Sequence, residues 1–433
     1  MNNKKRIKNR GSALPLVLVA IIILLTMGTA LLSMGLSNRI YTIRNTSDII
    51  ARCAADAGLT QALFEMNQKL RAKTLEGGTL PWAYKSNLSE CDGVYSYMVA
   101  GNLVAGYNII SVGQADNAQR IISASIDLQG IFDHAILTKN DLILKSGTNI
   151  DGYNSAVPGD TDNDVKIGTQ STDDDSIVLN NGVIINGDVS VGIGGSVEDG
   201  IKDLGATVNG DKHIATRIPP MPDIVIPALP NMGTSLSVKS GTITLTEADS
   251  GAYTGIKLDK GKDIGILEIS EGDVELHITG DIDLGQACEI VIKEGATLTI
   301  YVDGNITCDN GSGINTEAPP EQASTLQLYG TGDEEQFLDV KAKSEWTGTI
   351  YAPDAEVVLY AGGDAYGSIV ADSFEFKSGG NFYYDEALRE VDKNDQGVSF
   401  VVTRWNEGKI NYTPNMDLGE FRIDDVGILE ELK

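Results

Sequence analysis

Ala13 to Leu36 is a run of 24 residues without a charge, and the ten residues MNNKKRIKNR near its start carry five basic side chains and no acidic one. As a helix such a run is roughly 36 Å long, enough to cross a hydrocarbon core of about 30 Å. The basic flank keeps the N-terminus in the cytoplasm, so the expected topology is a single pass with the bulk exported. A cleaved secretory signal is the competing reading, with Gly28-Thr29-Ala30 as the small-x-small triplet.

Helical patterning continues past the apolar run, which favours the anchor. Leu36, Ile40, Ile43, Ser47, Ile50, Ala54, Ala57, Gln61 and Phe64 recur at alternating spacings of four and three, a heptad seam. One helix is expected from the membrane into water, to about Leu70. Arg52 with Asp56 and Glu65 with Lys69 are placed to pair along it.

Two short motifs mark this layout. Arg10-Gly11-Ser12-Ala13-Leu14 opens the apolar run, and Ala54-Ala55-Asp56-Ala57-Gly58-Leu59 lies further down the helix. Together they resemble the PilX-type branch of type IV pilin-like proteins, the second being similar to that family's A-A-E-A-G-L signature. The resemblance implies cleavage after Gly11 by a prepilin peptidase, with Ser12 as the mature N-terminus, and packing against other pilin-like subunits. The fifth residue after Gly11 is Leu16, where major pilins carry glutamate. That departure points to a minor or membrane-retained subunit, because an intramembrane carboxylate is kept only where a partner neutralises it.

Setting aside the five leader residues, 28 basic side chains face 61 acidic ones, a net charge near −33 on the exported portion. Such a surface repels nucleic acid and anionic lipid headgroups. Of the four cysteines, Cys53 lies on the helix and Cys91 in the next segment. Cys288 and Cys308 are twenty residues apart, close to one turn of many solenoids, and form the disulfide candidate; two buried thiols are the alternative.

Gly77-Gly78 and Pro81 end the helical pattern. Val94–Val99, Tyr107–Val112 and Ile121–Leu128 then read as strands of an antiparallel meander resting on the helix. From Ile131 onward, short apolar groups alternate with Gly-Asp, Asn-Gly and Gly-Gly, as in Val183–Val189 and Ala287–Thr307. Strands this short bury a face only when stacked coil on coil, so a right-handed β-helix is expected, with a β-sandwich as the alternative.

Residues 217–232, RIPPMPDIVIPALPNM, hold five prolines and interrupt that texture. Ile224, Val225, Ile226 and Leu229 suit a strap laid over the coils better than a free linker. Trp346–Ala355, Tyr366–Ala371 and Asn381–Leu388 then resemble the solenoid-like domain that follows PilX-type N-termini in several bacterial surface proteins. In this block Gly348, Gly367 and Gly379-Gly380 are expected in turns, with Tyr351 and Tyr384 at a coil edge. The tail contributes one strand, Val398–Thr403, expected to cap the stack.

Asp160, Asp162 and Asp164 begin like a calcium loop, but Val165 replaces the required glycine and Ser171 the required glutamate. That leaves a looser cage with Asp173, Asp174 and Asp175, or a solvated turn. Only His134, His213 and His277 are available for acid–base work, and none stands in a catalytic motif.

The fold class is therefore α+β. A cytoplasmic leader at 1–12, a transmembrane helix at 13–36 and its amphipathic continuation at 37–76 precede a small β subdomain at 77–130. A β-solenoid-like domain at 131–390 and a C-terminal strand and acidic tail at 391–433 complete the chain. The expected role is a pilin-like, inner-membrane-anchored surface protein displaying its solenoid for adhesion or spacing. Its expected partners are other pilin-like subunits through the helix, with no cofactor, no catalysis and no nucleic acid. The alternative is a membrane-anchored or secreted carbohydrate-active β-helix enzyme.

Overall fold

The computed structural model describes residues 13–75, 78–89, 91–102, 106–157, 165–319, 321–332, 335–389 and 397–409. The chain divides into two compact units, residues 1–127 with 400–433, and residues 128–399.

In the first unit one helix, α1, runs unbroken over Ala13–Arg71. Its apolar part contains threonines whose hydroxyls donate back to the helix, Thr26 to the Ile23 carbonyl at 2.8 Å and Thr29 to that of Thr26 at 2.9 Å. Those bonds leave no side-chain polar group of these residues unmet in an apolar medium. Four antiparallel strands follow, β1 (Trp82–Asn87), β2 (Gly93–Asn102), β3 (Gly106–Ala115) and β4 (Ala118–Gln129). The C-terminal strand, Ser399–Lys409, adds to this sheet beside β4. It therefore completes the helix-bearing unit, and the expected role as a cap on the stacked coils is corrected.

The sheet lies on a small-residue stripe of α1. Ser47, Ala51, Ala54, Ala55, Gly58, Ala62, Met66 and Leu70 are buried there, at helical spacing. Their small side chains let the sheet approach the helix backbone. A Cβ on Gly113 of β3 would lie 2.0 Å from the Ala51 carbonyl oxygen and 2.3 Å from the Ala55 nitrogen. The predicted seam drifts from this stripe, for Phe64 is 55% exposed. Polar contacts fix the register. The Ser47 hydroxyl donates to Asp116 at 2.8 Å, and Arg120 Nε donates to Asp48 at 2.8 Å. Arg52 pairs with Glu407 at 3.1 Å rather than with Asp56, and Glu65 accepts from the Tyr97 hydroxyl at 2.7 Å.

The second unit consists of short strands paired in parallel along three ladders. One ladder joins Leu236, Ile256, Ile282, Ile306, Leu338, Val357, Phe374, Leu142, Ile177 and Ile201 in successive registers. Their side chains are buried and form part of one continuous core. The order is not the chain order. Phe374, late in the sequence and paired with Val357, stacks directly on Leu142 near the start of this unit. The same junction is made by Ile369 with Ile136 and by Phe382 with Ile150.

Two sequence expectations change here. Gly348 and Gly367 are not in turns: they face each other within the strands Trp346–Ala361 and Ala365–Phe376. Gly367 has φ +135°, and a Cβ there would stand 1.7 Å from the Gly348 carbonyl oxygen, so only glycine fits. Tyr351 and Tyr384 are fully buried. The Tyr384 hydroxyl donates to the Phe132 carbonyl at 2.6 Å, tying the entry of this unit to its last strand.

Residues 217–232 lie along the remaining ladder. Gln170 donates to the Pro219 carbonyl at 2.8 Å, the Tyr351 hydroxyl to Pro222 at 2.7 Å, and Ala252 N–H to Pro230 at 2.8 Å. Met221, Ile224 and Ile226 pack on a cluster containing Tyr301, Tyr329, Tyr351 and Val370. Between Ile214 and Asn231 that ladder has ten pairings, a height of about 48 Å at ~4.8 Å each. The seventeen residue steps from Ile214 to Asn231 span about 53 Å in polyproline-like backbone. The strap is thus nearly taut, which its prolines favour by pre-setting φ.

Candidate functional site

The residues most available to a partner are on α1. From Val17 to Leu36 its large apolar side chains are exposed, Leu24 and Leu32 at 69% each. By length and composition this is the one helix among the described residues able to cross a membrane. Below it, Leu36, Ile40 and Ile43 are also exposed. Their spacing of four and three leads into Ser47, so they prolong the stripe that carries the sheet. The sheet contacts described begin at Ser47. Arg39 and Arg44 flank the bare portion and take no ion-pair partner among the described residues.

The family-like motif has a different destination from the one a subunit interface would require. Ala54, Ala55 and Gly58 are buried under the chain's own sheet, while Asp56 and Ala57 are half-buried at its margin. Gly58 stands against Ser111 of β3 and Tyr95 of β2. Burial, together with the Glu65 carboxylate it donates to, raises the Tyr97 phenol above its ordinary range.

The leader-cleavage candidates Gly11 and Ser12, and the carboxylates Asp160, Asp162 and Asp164, lie outside the described residues. Asp173, Asp174 and Asp175 are exposed, and Asp175 pairs with Lys202. Among the described residues no three His, Cys, Asp or Glu side chains converge to hold a metal ion. The candidate bridge between Cys288 and Cys308 is not formed; both are free and buried, the other reading of this pair. The register explains why. Cys308 stands opposite Leu284, and Glu289, next to Cys288, stands opposite Gly313, a period of 24 rather than twenty. Burial pushes the Cys308 thiol up to about 12.

Two polar clusters come from residues distant in sequence. His277 Nε2 lies 3.0 Å from Asp303, and the Thr331 hydroxyl donates to the same carboxylate at 2.7 Å. The hydroxyl bonds the carboxylate and not the ring, so the three do not form a nucleophile–base pair. Asp133 lies 3.8 Å from Lys166, 3.8 Å from His134 and 3.9 Å from both Arg217 and Arg389. It gathers the entry of the unit, the strand Val165–Thr169, the start of the strap and the turn after the strand Asn381–Asp385. Burial, reinforced by Lys166, Arg389 and Arg217 against the opposing pull of Asp133, lowers the His134 imidazole to about 4. No local sequence signal marks this cluster, because its members meet only through the stacking.

A family model described as a domain of unknown function, DUF7305, matches residues 209–391, a span that opens just before the strap and closes just after the last ladder strand. A comparison with curated proteins gives no match. Among solved structures, the competence-associated pilin ComZ from Thermus thermophilus is similar over 84% of this chain and 98% of its own, at 14% identity and a TM-score of 0.26. That likeness is too distant to bear on the role.

Proposed function

We propose that the chain is a pilin-like structural protein. Its α1 is anchored in the bacterial inner membrane with the N-terminus in the cytoplasm, and the β units lie outside. The observation that carries this reading is the division of labour along α1. Its first part is apolar and bare, and its second part carries a sheet on a stripe of alanine and glycine. A bare anchor does not need the second part, whereas a subunit that packs by its helix and displays a head needs both. The exposed apolar face then serves other pilin-like helices, and a minor subunit of a pilus or pseudopilus is the form that the absence of glutamate at Leu16 favours.

In this reading the parallel stacked unit is a β-helix, used as a spacer or adhesive head. Its parallel ladders, buried aliphatic core and taut strap suit a rigid displayed body. The test is the N-terminal residue of the mature protein in cells with and without prepilin peptidase. A peptidase-dependent start at Ser12 supports the reading. An intact leader in both, or a start at Leu31, contradicts it.

A further inference from the structure

The C-terminal strand runs toward the bare part of the helix stripe. Phe400 N donates to Asn67 at 2.7 Å, and seven residues later Glu407 pairs with Arg52 at 3.1 Å. Those fifteen helix residues span about 22 Å and the seven strand residues about 23 Å, so the strand tracks α1 toward its membrane end. It reaches Lys409 close to the level of Ser47, where the sheet contacts described begin and the exposed Ile40 and Ile43 lie ahead. The remaining 24 residues, 410–433, contain Asp417, Glu420, Asp424, Asp425, Glu430 and Glu431 against Arg422 and Lys433. They also contain Leu418, Phe421, Ile423, Val426, Ile428, Leu429 and Leu432.

We propose that residues 417–433 dock on the Ile40–Ile43 stripe of α1 in the same chain, with Arg39 and Arg44 receiving the acidic side chains. This rests on the reading above that α1 leaves the membrane near Leu36. The docked segment shields the stripe where the sheet stops, and another pilin-like helix must displace it to pack there. Apolar side chains at both surfaces supply the burial. The opposite charges set the orientation and make the contact salt-sensitive.

The experiment uses the full chain in phospholipid nanodiscs and a second chain stopped after Lys409. Amide exchange of residues 37–46 is expected to be about tenfold slower in the full chain. In a C53S/C91S background, Ile43→Cys and Ile428→Cys are expected to cross-link within one chain, independent of protein concentration. Equal exchange in the two chains overturns the proposal, as does a concentration-dependent link between chains, which assigns the stripe to a second copy. A membrane-impermeant maleimide separates the premise from the proposal. Labelling of Ile43→Cys in the shortened chain places the stripe in water. Failure to label there places it in lipid and overturns the docking together with the topology it rests on.

Discussion

Gly113 of β3 faces Ala51 of α1 across a gap with no room for a side chain: a Cβ at 113 would stand 2.0 Å from the Ala51 carbonyl oxygen. The obstacle is helix backbone, which cannot swing aside as a flexible side chain can. Gly113→Ala is therefore expected to lift the sheet from the helix and cost about 3 kcal/mol, with Gly113→Val worse. Chemical unfolding of the full chain measures this, and a loss under 1 kcal/mol would show that the contact is loose.

The strap has about 5 Å to spare over a ladder of about 48 Å. Deleting the four residues Ile224–Pro227 removes about 12 Å and is expected to pull Asn231 away from its bridge to Ala252. Limited proteolysis should then cut within 217–232, whereas replacing the same four residues by four others of extended preference should not expose it. Tyr351→Phe, which removes only the hydroxyl bond to Pro222, is expected to cost about 1 kcal/mol and leave the strap in place.

His134 is held neutral, its folded-state value of about 4 lying below the ordinary 6.5. The unfolded chain thus binds a proton that the folded chain refuses across that window. Stability is expected to be undiminished above about pH 6.5 and to fall as pH drops toward 4, by on the order of 3 kcal/mol for this group. The sign follows from the unfolded state's greater proton uptake. His134→Gln should flatten that part of the stability–pH curve, and an unchanged slope in the variant would assign the acid sensitivity elsewhere.

Cys53 and Cys91 are exposed, whereas Cys288 and Cys308 are buried and free. A thiol reagent is expected to modify the first pair in the native chain and all four after unfolding under non-reducing conditions. Finding Cys288 and Cys308 protected from the reagent even when unfolded would reveal a bridge and contradict the register.

The sequence made local features legible and left long-range ones hidden. The uncharged run and its amphipathic continuation announce a helix, because a 3.6-residue period is visible within a few turns. The proline-rich strap is readable for a similar reason, since its composition alone favours extended backbone. The heptad seam ending at Phe64 was displaced because the sheet selects small residues for close approach, a requirement set by Gly113 on another element. Gly348 and Gly367 looked like turn residues, yet they lie opposite each other in strands, and the Gly348 carbonyl leaves room only for glycine at 367. The stacking of Phe374 on Leu142 and the gathering of Lys166, Arg217 and Arg389 around Asp133 depend on the chain doubling back through the strap, which no local pattern encodes. The strand Ser399–Lys409 was visible as a strand, but its partner β4 is nearly three hundred residues earlier.

In the proposed role the exposed apolar part of α1 packs against helices of other pilin-like subunits. A photo-reactive residue in place of Leu32, which is 69% exposed, tests it in intact cells. A membrane-embedded cross-link to another pilin-like subunit is expected, lost when the pilus machinery is removed. Cross-linking to lipid alone, unchanged by that removal, would contradict it and leave α1 as a simple anchor.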